Sequence, residues 1–106
     1  MRHGQMFLSM LFYHRKAVDI MTTNKKELFK KKLTAHLSQE FSNYRFRNNL
    51  TQAQFARMLG IDSRAYFSIE HGTSMPSLMT LLQYMCICLT TEEAKEFIQN
   101  ISSSLK

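Results

Sequence analysis

The chain has 106 residues, enough for one compact domain with its own apolar core and too few for a second lobe. Hydrophobic residues make up 44% of it, which argues against disorder, and one proline with three glycines argues against a turn-rich β-sandwich. Fourteen basic against eight acidic side chains leave a formal charge of +6, which points to a polyanionic partner.

Residues 1–24 read as an N-terminal extension. Met6–Tyr13 is an apolar run broken by Ser9, far short of the roughly 18–20 apolar residues of a membrane span, so no membrane partner is expected. His14-Arg15-Lys16 follow it, where a secretory leader would carry small cleavage-site residues. The run is either a non-native extension or an arm that docks on a protein partner, with membrane-surface contact a third reading. Met21-Thr22-Thr23-Asn24 resembles a second beginning, so translation starts at Met1 or at Met21.

A helical domain is expected over residues 25–101, with a frayed tail at 102–106. Asn24 is a suitable cap, and Phe29, Leu33, Leu37, Phe41 and Tyr44 step by four or three along one apolar stripe. This is one helix of about 24 residues or a short helix leading into another, with Asn49 suited to a left-handed end. Thr51 and Gln54 form a capping box that opens a short helix with Phe55, Ala56 and Leu59 inward, ended by Gly60. Asp62 caps the next helix, with Tyr66 and Ile69 inward and His71-Gly72 at its end. Pro76-Ser77 opens a helix expected to place Leu78, Leu81, Leu82, Met85 and Leu89 on one face. Thr90 and Glu93 form a second capping box, before a helix carrying Ala94, Phe97, Ile98 and Ile101. Five helices and no strand pattern make the class all-α.

Residues 52–71 carry the functional signal. Two short helices are joined by Gly60-Ile61-Asp62 alone; Gly60 supplies a tight turn, and Ala56 is small where steeply crossed helices approach. These are the demands of a helix-turn-helix, whose second helix projects into the major groove. The stretch resembles the Cro/CI-like, or XRE-type, regulators. The matching residues are Leu50-Thr51-Gln52-Ala53-Gln54-Phe55-Ala56, Leu59-Gly60-Ile61, Ile69-Glu70-His71-Gly72 and Pro76-Ser77-Leu78. The resemblance covers about half the chain, residues 37–89, and implies a lambda-repressor-like five-helix fold behind the N-terminal extension.

The resemblance also implies a recognition helix over about residues 63–70, and double-stranded DNA as partner of a homodimer that regulates transcription. Gln52 occupies the position of the family glutamine that meets a phosphate and braces the recognition helix, and Thr51 and Thr73 are further DNA-binding candidates. Ser63, Arg64, Phe67 and Ser68 occupy the groove-facing positions. Arg64 can bond bidentately to guanine, Ser68 suits several bases, and Phe67 can pack on a thymine methyl. Arg45 and Glu70 match a structural ion pair. The loop Thr73-Ser74-Met75 departs from the family in carrying no charge. With the apolar arm, that departure keeps open a second reading: an antitoxin-like or accessory protein-interaction module on the same fold.

His3, His14, His36 and His71 do not combine with Cys86 and Cys88 at a metal-ligand spacing, and no nucleophile–base spacing occurs, so neither enzyme nor cofactor is expected. The two cysteines are too few and too close for a disulfide framework and suit the cytoplasm. Cys88 is expected on the apolar face of its helix and Cys86 opposite it. The charge is unevenly spread: residues 1–32 hold eight basic and two acidic side chains, while residues 33–89 hold four and three. The basic excess therefore lies outside the helix-turn-helix.

Overall fold

A computed structural model describes the backbone of residues 2–105 and the side chains of residues 24–105. Met6–Tyr13 and the arm expected there lie outside the described side chains. Among the described residues there are five α-helices and no strand: α1 (Arg2–Arg47), α2 (Gln52–Leu59), α3 (Ser63–Glu70), α4 (Leu78–Gln83) and α5 (Thr91–Ser104). A single π-helical turn, Tyr84–Cys88, continues α4. The chain divides into Met1–Lys31 and Lys32–Lys106. Helix α1 starts at Arg2, so Asn24 lies inside it and does not cap it. Helix α5 continues past Ile101 to Ser104.

In the first unit, Leu28 and Phe29 are both about half exposed, so Phe29 drops out of the stripe expected along α1. In the second, Leu33 is partly buried, while Leu37, Phe41 and Tyr44 are buried. Phe41 meets the Phe55 ring edge-on at 5.7 Å and the Tyr84 ring at 4.8 Å. Tyr44 stacks on Phe55 at 5.0 Å, Phe55 meets Tyr66 at 5.2 Å, and Tyr84 meets Phe97 at 5.4 Å. The lower part of α1, α2, α3, the π turn and α5 thus share one aromatic core. Each such ring pair adds about 0.5–1.5 kcal/mol beyond the area it buries.

Apart from Asn24, the local signals at the helix ends take their expected forms. Asn49 adopts a left-handed φ of 54° after α1, and both capping boxes form. The face of α4 differs from expectation. Leu81, Met85 and Leu89 are partly buried, but Leu78 and Leu82 are exposed, and Thr80 and Tyr84 point inward instead. Two hydrogen bonds explain the exchange. The Ser77 and Thr80 hydroxyls lie 3.1 Å apart, which removes the cost of burying Thr80. The Tyr84 hydroxyl donates to Glu40 Oε1 at 2.7 Å, so the larger ring can sit in the core. Thr80 and Tyr84 are four residues apart and share a face; Leu78 and Leu82 are carried to the other side.

The π turn widens the backbone after Tyr84, and its last carbonyl, that of Cys88, accepts from the Tyr44 hydroxyl at 3.2 Å. Cys88 is half-buried and Cys86 exposed, both as free thiols.

Candidate nucleic-acid interface

Each helix of the 52–71 pair is started by its own side-chain cap. Thr51 Oγ1 accepts from the Gln54 backbone N–H at 3.1 Å, and Gln54 Oε1 accepts from the Thr51 N–H at 2.9 Å. That arrangement leaves the Thr51 hydroxyl hydrogen free to donate outward. Asp62 Oδ1 accepts from the Ala65 N–H at 2.7 Å, the cap expected for α3. Between the two, Gly60 takes φ +72°, a left-handed conformation that costs a non-glycine residue about 1–2 kcal/mol. Its Cα is closely approached by the Gln83 amide: a Cβ there would lie 2.7 Å from Gln83 Oε1.

The turn brings the start of α2 against the outer face of α3. Gln52, Ser63, Arg64, Phe67 and Ser68 line one shallow concavity of about 400 Å³. Ser63, Arg64 and Phe67 are exposed, and Gln52 and Ser68 partly so. Arg64 is the one cation among the residues that line it. Thr51 stands outside the concavity, exposed at the α2 cap. Thr73 also stands outside, and its hydroxyl donates to the Ser68 carbonyl at 3.1 Å. Its hydrogen secures the end of α3.

The α3 terminus is held by several such bonds. The Phe67 carbonyl accepts from the His71 N–H, the Ser68 carbonyl from the Thr73 N–H, and the Ile69 carbonyl from the Gly72 N–H, each at 3.0 Å. The Ser38 hydroxyl of α1 donates to the Glu70 carbonyl. Arg45 of α1 grips the Glu70 carboxylate with two hydrogen bonds, Nε to Oε2 at 2.9 Å and Nη2 to Oε1 at 2.7 Å. Burial alone would raise the Glu70 carboxyl, but the hydrogen bonds and charge of Arg45, with the Tyr66 hydroxyl close by, hold it below the usual glutamate range. The Tyr66 hydroxyl is buried beside this pair without hydrogen-bond geometry to any described group. Burial, with the Glu70 carboxylate next to it, pushes that phenol far above its ordinary range.

Two short capped helices, a left-handed glycine between them and an outward polar face on the second now stand together, and residues 43–90 match the family model for the helix-turn-helix. The match supports a Cro/CI-like helix-turn-helix in this segment. No curated protein and no solved structure matches the chain. The helix-turn-helix match ends at Thr90, so α5 lies beyond it, as does all of α1 before residue 43.

Among the described residues no helix is long and apolar enough to cross a membrane, and no group of three or more His, Cys, Asp or Glu side chains could hold a metal ion. Three residues at the helix-turn-helix are absent from the expected set. Gln83 packs on Gly60 and Ser38 anchors the end of α3; both are long-range contacts with no local sequence signal. His71 stacks on Phe67, and its position seven residues after Arg64 and four after Phe67 is the signal that places it on the same helix face.

Proposed function

We propose that this protein binds double-stranded DNA in a sequence-specific manner and regulates transcription as a homodimer, with α3 in the major groove. The observation that carries the reading is the concavity where Gln52 of α2 meets Ser63, Arg64, Phe67 and Ser68 of α3. A guanidinium flanked by hydroxyls and an exposed ring offers a guanine contact, adaptable hydrogen bonds and an apolar surface for a thymine methyl. Gln52 and Thr51, at the start of α2, suit phosphate contacts that set the register. Two copies on paired half-sites would place their recognition helices about 34 Å apart. Occupancy of the operator regulates without chemistry. The free thiols of Cys86 and Cys88 suit a cytoplasmic location.

Selection from randomised duplexes at low salt tests the reading. An enriched sequence is expected; its absence would count against specific binding.

One observation favours a second reading, a protein-interaction module on the same fold. Leu78, Met79 and Leu82 leave an apolar strip of α4 exposed, at 72%, 67% and 44%. A stoichiometric protein partner that co-purifies from the native host while DNA is not retained would support that reading over the first.

A further inference from the structure

Among the residues that line the concavity, Phe67 alone brings a side chain without a polar atom; Gln52, Ser63, Arg64 and Ser68 line the rest. Its ring is 49% exposed, and covering such a surface with an apolar group is favourable. The ring is also held in place. His71, at the end of α3, stacks on it with centroids 3.8 Å apart and planes 25° from parallel. The His71 Nδ1 lies 3.0 Å from the Phe67 carbonyl oxygen, so the imidazole meets the same residue twice. His71 is not among the lining residues, and Phe67 turns toward the concavity the part of its ring that the imidazole leaves uncovered.

A duplex offers one group that matches this surface. The base edges in the major groove are hydrogen-bond donors and acceptors, with the C5-methyl group of thymine as the exception. A cytosine methylated at C5 carries the same group at the same ring position.

Arg64 sets where that methyl group should lie. Its guanidinium suits guanine, and Phe67 is three residues further along α3, on the same helix face. At about 1.5 Å of rise per residue, the two side chains leave the helix about 4.5 Å apart along its axis. Base pairs are about 3.4 Å apart, so this separation matches one base-pair step better than none or two.

Resting on the DNA-binding reading of α3, we infer that the concavity selects a two-base-pair step. Arg64 holds a guanine, and at the neighbouring base pair Phe67 packs on the C5-methyl group of a pyrimidine. Binding to a site with cytosine at that place then responds to methylation of the base.

The test uses the full chain and the duplex it selects. At the base pairs flanking the guanine whose preference Arg64→Ala relaxes, thymine is compared with uracil, and 5-methylcytosine with cytosine. Each pair of duplexes differs by one methyl group per half-site. The methylated member should bind about fourfold tighter per half-site, the worth of one buried methyl group. The pair that shows the gain names the base, and a gain in both shows that the methyl group is read on either. Phe67→Ala should abolish the gain while the preference for guanine stays, with thermal unfolding as the check that the fold is kept. The duplex comparison itself uses the wild-type chain and does not depend on any variant folding. Equal affinities within both pairs, or a gain that survives Phe67→Ala, overturns the inference and leaves the DNA-binding reading standing. Failure to select any duplex overturns both.

Discussion

Arg45 and Glu70 face each other edge to edge, with two hydrogen bonds joining α1 to the last residue of α3. A third, from Arg45 Nη1 to the Leu50 carbonyl at 3.1 Å, ties the same guanidinium to the segment entering α2. One side chain thus ties α1 to the end of α3 and to the start of α2. The pair stabilises the domain and sets the angle at which α3 is presented, two roles that separate experimentally.

Removing either partner strands the other. The side chains are only 14% and 10% exposed, so Arg45→Ala or Glu70→Ala should each cost roughly 3 kcal/mol, measured by urea denaturation. The sign with pH follows from the lowered Glu70 carboxyl. The pair's stabilisation is fully present above the unfolded glutamate pKa of about 4.3 and is lost as pH falls through the folded value. Glu70→Gln should therefore flatten that part of the acid unfolding profile.

At Gly60 the backbone angle, more than the crowding, sets the cost of substitution. The neighbouring Gln83 amide is the end of a flexible side chain and can move aside, while φ +72° cannot change without opening the turn. Gly60→Ala is expected to destabilise by about 1–2 kcal/mol, and Gly60→Asn by less, because asparagine tolerates the left-handed region. Adding Gln83→Ala to Gly60→Ala should recover little. A large recovery in the double variant would show that crowding dominates instead.

In the core, Phe41 touches the rings of Phe55, Tyr66 and Tyr84 and is fully buried. Phe41→Ala should cost about 3–5 kcal/mol in denaturant unfolding. Tyr84→Phe keeps the ring but leaves the partly buried Glu40 without its hydroxyl donor, and should cost about 1–3 kcal/mol.

The lysines of α1 supply a separate electrostatic test. Lys30, Lys31 and Lys32 are exposed, and residues 1–32 carry most of the basic excess. If they touch the DNA backbone, neutralising each should reduce the salt slope of binding by about 0.9. An unchanged slope in the triple glutamine variant would assign that charge to another role.

What was legible in the sequence was mainly local. A threonine three residues before a glutamine or glutamate announces its own capping box, and Asn49 and Gly60 announce left-handed backbone where two helices end. The stripe Leu37-Phe41-Tyr44 follows from helical period alone. The facing of α4 was not legible, because leucine outranks threonine and tyrosine as a core residue until partners are counted. Ser77 and Glu40 supply those partners, and Glu40 is 44 residues from Tyr84. At the reading face, the groove positions 63, 64, 67 and 68 were named from the motif. The capping use of the Thr73 hydroxyl emerges only from its bond to a carbonyl of α3.

The most direct test of α3 as a sequence reader is to repeat the duplex selection with Arg64→Ala beside the full chain and a chain starting at Met21. The account predicts one enriched operator for the wild type, and the same operator with preference relaxed at a single base pair per half-site for Arg64→Ala. That relaxation corresponds to a loss of about 1–3 kcal/mol of discrimination. Selected sequences unchanged by Arg64→Ala would contradict the assignment of Arg64, and no enrichment from any chain at low salt would contradict specific DNA recognition by α3.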